Sequence, residues 1–189
     1  MTLSALGIFS AAGAGGAVAA GAYELISTTI LGTNTASVTF SSLGTYSSTY
    51  KHLQIRAVTR TTRTDASQVI SYLRFNGDTA SNYSGHQLFG NGSGVGSAGE
   101  ANITYAYAGI DSTNQNTTGN FAAYVIDILD PYSTTKNKTT RSLSGLQQNA
   151  IRLMSGNWRN TASVTSIQLV ADSYNYVAGS RFSLYGIKG

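Results

Sequence analysis

From Tyr23 onward, apolar residues in this chain come in short runs closed off by Gly, Asn, Asp, Ser or Thr, and no stretch keeps a helical spacing long enough to compete. That leaves an all-β architecture. The segment "HLQIRAVT" (52–59) alternates, with Leu53, Ile55 and Ala57 on one face and Gln54 and Arg56 on the other. Comparable runs recur at 23–31, 37–40, 69–75, 102–110, 121–129, 141–146, 151–158, 163–170 and 181–187, so ten strands are expected. "VISYLRF" ends at Asn76-Gly77-Asp78, residues that tolerate the positive φ of a tight turn. "FAAYVIDIL" (121–129) is apolar at every other position on both faces, which marks a central strand whose outer side is also covered. The single proline, Pro131, stops that run. "GNGSGVGSAGEA" (90–101) reads as a long exposed loop.

A chain of 189 residues with this pattern forms one core, an antiparallel β-sandwich over residues 23–189. The strand count favours a jelly-roll-like sandwich, and an immunoglobulin-like one fits the same string. With no cysteine the fold has no disulfide and no thiolate metal site.

Charge is scarce: 11% of residues are ionic, while Ser and Thr make up about a quarter of the chain. Hydroxyls need only a hydrogen-bond partner when they leave water, whereas ions also need a counter-charge. Such a surface suits burial against neighbouring chains. The net charge of +4 is spread out, with small groups at Arg56, Arg60, Arg63 and at Lys136, Lys138, Arg141, and a nucleic-acid partner is not expected.

Residues 1–22 form a Gly/Ala-rich segment with no Lys or Arg to head a secretion signal. Its few larger side chains are too sparse for a membrane span. Glycine makes it a poor isolated helix, so it reads as an arm that orders against a partner subunit through Leu6, Ile8 and Phe9.

No catalytic or cofactor motif emerges. "GVGSAG" (94–99) has the glycine spacing of a dinucleotide turn without the helix that would meet the phosphates. His52 and His86 sit in no ligand or triad spacing. Asp127 is read as a paired residue in or beside the core and Asp130 as a turn former before Pro131. The chain is therefore not expected to be an enzyme. Twelve tyrosines fit either sandwich edges or contacts with other subunits or carbohydrate.

"YKHLQIRAVTRT", "LRFNGDTASNYSGHQL", "DILDPYSTTKNKTTRSLSG", "GNWRNTASVTSIQL" and "VAGSRFSLYGIKG" together resemble a recurrent family of bacteriophage virion proteins, over most of residues 23–189. The resemblance implies a virion structural protein assembled in the bacterial cytoplasm, with no cofactor. It implies either a capsid decoration or cement subunit on the outer shell, often a homotrimer, or the head of a tail fibre that meets host surface glycan. One domain plus a short arm, with no fibrous shaft, favours the decoration subunit, whose partners would be sister copies and the major capsid protein or other virion proteins.

Overall fold

The computed structural model describes residues 22–147 and 150–189, which form an all-β sandwich of twelve strands and one 3-10 turn at Leu43–Tyr46. Leu6, Ile8 and Phe9 of the expected arm lie outside the described residues. Numbered along the chain, the strands are β1 (Tyr23–Ile30), β2 (Ser37–Phe40), β3 (His52–Thr61), β4 (Gln68–Phe75), β5 (Tyr83–Gly90), β6 (Val95–Ile103), β7 (Ala106–Thr113), β8 (Ala122–Leu129), β9 (Lys138–Leu146), β10 (Ala150–Trp158), β11 (Ile167–Val170) and β12 (Arg181–Ile187).

A large sheet runs β1-β12-β3-β8-β9-β10-β5-β6 and a small one β2-β11-β4-β7, each antiparallel throughout. They join where Arg60 and Thr61, at the end of β3, pair in parallel with Ser112 and Thr113 of β7. Between the sheets lies the main core, which includes Leu53, Ile55, Phe75, Trp158, Tyr176 and Phe182. Trp158 lies 5.4 Å from Phe75, centroid to centroid, and its indole N–H donates to Asp78 Oδ2 at 2.7 Å, so its polar edge is satisfied inside.

Strand β8 is central in the large sheet, between β3 and β9, as its apolar content suggests. Its inner residues Ala122, Tyr124, Ile126 and Ile128 are buried, while Val125 and Leu129 on the outer side stay exposed. The turn at 76–77 is present, with positive φ at both residues and Asp78 N–H donating to the Phe75 carbonyl. It does not close a hairpin, because β4 and β5 belong to different sheets.

Two readings of the sequence need correction. Residues 90–101 are not a long loop: Val95–Ile103 form β6, paired along its length with β5. The Asn91 side chain accepts from the N–H groups of Ser93 and Gly94, which tightens the turn to a few residues. The run 102–110 is not one strand either, since β6 ends at Ile103 and β7 starts at Ala106, where the chain passes to the small sheet. Glycine and serine hid β6 because an edge strand exposed on both faces has no apolar alternation to read.

Strand β7 is buried along its whole length and presses on the inner face of the large sheet. Small residues permit the approach. A Cβ added to Gly156 of β10 would sit 2.6 Å from the Ala106 Cβ, and one on Gly85 of β5 would sit 2.8 Å from the Tyr107 ring. Gly145 of β9, on the opposite face, has nothing within 4 Å of such a Cβ. Gly156→Ala is therefore expected to lower unfolding free energy by about 1–3 kcal/mol through overpacking, with Gly145→Ala close to neutral, as read from urea denaturation midpoints.

Candidate functional site

Strand β9 shows an inverted polarity. Its inner positions Thr140, Ser142 and Ser144 are buried under β7, while Leu143, between them in sequence, points outward and is 53% exposed. Strand β10 repeats the pattern. Ile151 and Leu153 face out at 57% and 52% exposure. Arg152 turns inward, with its guanidinium 5.1 Å from the Phe89 ring centroid and donating to Gln87 Oε1. Burial holds the Arg152 pKa below the ordinary guanidinium value.

Register then lines the outer side chains up. Leu88 of β5 pairs with Leu153, Leu153 with Leu143, and Leu143 with Val125 of β8, giving one apolar row across four strands. Ile151 lies one row along, between Gly90 and Gly145, and Gly90 in turn pairs with Val95. Because glycines flank it, the Ile151 side chain has no lateral cover within its sheet. Two shallow depressions follow the row, about 530 Å³ beside Val58, Val125, Leu143 and Ile151, and about 570 Å³ beside Leu88, Val95, Ile151 and Leu153. Ions stand at its borders: Arg56, in register with Val125, and Arg181 line the first depression. Arg141 Nε donates to Asp127 Oδ2 at 2.9 Å, and Gln54 Nε2 donates to the other oxygen of the same carboxylate at 2.8 Å.

The other residues weighed from sequence are structurally committed. Asp127 is indeed a paired residue, although on the outer face of the large sheet. Asp130 has φ 45° and binds Lys136 at 2.8 Å, as a turn former would. His52 Nδ1 accepts the Asp130 N–H at 3.0 Å, and His86 is exposed on β5. The two cationic groups do not form patches. Arg60 is buried and donates to the Asn114 side chain and to the carbonyls of Asn116, Thr117 and Asn120, holding that loop together. Arg56 lies 4.8 Å from the Tyr185 ring centroid, and Arg63 binds Asp65. Lys138, fully buried, donates to the carbonyls of Ser133, Lys136 and Thr161, and burial lowers its pKa. Among the described residues no group of three or more His, Asp or Glu side chains is placed to hold a metal.

Sequence reasoning missed the outward set of Leu88, Leu143, Ile151 and Leu153. The signal was present in "RSLSGL" and "AIRLM", where strict alternation forces either the leucines or the hydroxyls and Arg152 to face out.

One buried group titrates in an informative range. Asp111 is fully enclosed between the sheets, accepting from Thr59 Oγ1 at 2.6 Å and from Ser71 Oγ, with Ser71 also bonded to the Tyr176 hydroxyl at 2.7 Å. Removal from water pushes its pKa up to about 7, although both hydroxyl donors favour the carboxylate. The adjacent Tyr124 and Tyr176 phenols are pushed well above their ordinary value by the same burial.

Compared with known protein families, curated proteins and solved structures, the chain matches none.

Asp111 sets a pH dependence. Its folded pKa lies above the unfolded value of about 4, so its contribution to stability is fully present below that pH and is lost as pH rises to about 7. The carboxylates with lowered values, Glu24, Asp65, Asp78 and Asp130, act in the opposite sense and titrate below this window. Urea midpoints measured from pH 4.5 to 8 are expected to show a decline, at most ~1.4 kcal/mol per pH unit, that Asp111→Asn removes.

Proposed function

We propose that this chain is a structural subunit that works by being built into a larger assembly, and that the assembly is a bacteriophage virion, with the chain decorating and stabilising the outer capsid shell. The observation that carries the reading is the inverted polarity of the large sheet: hydroxyls and a guanidinium occupy inner positions of β9 and β10, while Leu143, Ile151 and Leu153 face outward. A sheet that stays in water does the reverse. The low charge content supports the same reading, since few ions have to be desolvated when this surface is covered. The resemblance of most of residues 23–189 to phage virion proteins supplies the context, and with it the expectation of a jelly-roll-like oligomer, a homotrimer on local three-fold axes, that carries out no catalysis.

The test is location and number on intact particles, read by electron microscopy, together with the heat and osmotic resistance of particles lacking the protein. Copies spread over the whole shell and fragile particles in their absence are expected. A few copies confined to the tail would overturn the decoration reading in favour of a tail-fibre head, and purified protein would then block adsorption to host cells.

A further inference from the structure

We infer that the apolar corner formed by β5, β8, β9 and β10 of the large sheet is the surface through which copies of this chain pack against one another. The inference deepens the assembly reading above by naming the occupant of this face.

The size of the patch is the first ground. Leu88, Val125, Leu143, Ile151, Leu153 and the nearly bare Val95 are contiguous by register, and together these residues present roughly 600 Å² of surface, most of it apolar. That is the upper end of what a monomer shows. It approaches the ~800 Å² per partner of a stable interface, with the polar rim still uncounted.

The chemistry of the patch is the second. Transient binding faces are no more apolar than the rest of a protein surface, whereas interfaces between identical subunits are distinctly more so and exclude charge from their centre. No ion lies within the Leu88–Leu153–Leu143–Val125 row. At its β8 end the row meets the exposed Arg56, in register with Val125, while Asp127 and Arg141 pair with each other along the sheet. A row that is apolar from end to end is complementary to itself, and a pairing that leaves Arg56 at the rim opposes no like charges at its centre. A two-fold pair packs it as two stacked sheets, and a three-fold ring packs it around a shared axis.

The experiment uses the purified full-length chain, with mass read by light scattering across a concentration series and fold by circular dichroism. Wild-type protein is expected at a multiple of 19.8 kDa. Leu143→Asp and Leu153→Asp, at exposed positions, are expected to bring the mass to that of one protomer with the β-sheet spectrum retained, or to raise the dissociation constant by at least about tenfold. The milder Leu143→Ser/Leu153→Ser pair serves if either aspartate disturbs folding. Thr39→Asp, exposed on the small sheet, is expected to keep the wild-type mass.

A wild-type protomer mass at every concentration overturns the inference, as does an oligomer that survives both aspartate variants. So does a monomeric wild type that begins to associate once residues 2–21 are deleted, because the chain's own N-terminal segment would then be what covers the face. Protein that decorates shells yet is monomeric in solution would sink this inference and leave the proposed function standing.

Discussion

The closeness of β7 to the large sheet sets the terms for the rest of the structure. A strand buried on all sides must have its neighbours' side chains cleared from its path, and here the clearing is done by Gly85, Gly156, Thr140, Ser142 and Ser144. Leucines at those positions would hold the two layers at the usual ~10 Å sheet separation. Alternation then fixes the other side of the same strands: once Ser142 and Ser144 face in, Leu143 must face out, and once Met154 and Gly156 face in, Leu153 must face out. The apolar outer face is the geometric counterpart of a core built around a close-packed strand.

The same constraint explains where the hydroxyls go. In a chain this rich in Ser and Thr they would be expected to cover the surface, yet Thr59, Thr61, Ser71, Ser112 and Thr113 are buried beside or within β7. Two of them, Thr59 and Ser71, serve Asp111, a carboxylate enclosed without a cation, which is tolerable because both hydroxyls donate to it and because burial favours its neutral form. The cations are treated in kind. Arg60 and Lys138 are buried against carbonyl oxygens and not carboxylates, each tying down a loop that no ladder reaches. Inside this protein the polar groups act as fasteners.

What could be read from the sequence follows from which residues decide each feature. The strands with regular alternation, β3 and β8 among them, were legible because apolar residues recur at their inner positions, Leu53, Ile55 and Ala57 in one and Ala122, Tyr124, Ile126 and Ile128 in the other. Strand β6 was not, since its fold comes from pairing with β5 and, of its side chains, only that of its last residue, Ile103, packs against the core. Strands β9 and β10 were legible as strands and misleading as to face. Side-chain type normally tells in from out, and here the contact with β7, a partner distant in sequence, overrules it. The turn at Asn76-Gly77 was visible as a turn, but whether it joined paired strands depended on sheet membership, which no local signal carries.

The scarcity of charge takes on a specific meaning once the faces are known. Low ion content alone is compatible with many surfaces, because hydroxyls and amides keep a protein soluble without ions. In this chain many of the hydroxyls are withdrawn into the core, so they cannot be what keeps the outer face of β9 and β10 wetted. The lateral neighbours of Leu143, Ile151 and Leu153 in the ladder are then apolar residues or glycine, with Ser155 and the Asp127–Arg141 pair further along the strands and Arg56 beyond Val125. Leu143 and Leu153 cover part of each other and of Leu88 and Val125 across the ladder, yet both stay about half exposed, and Thr or Lys would hold the same backbone pairing. That exposed half is what the proposed contact between copies would cover.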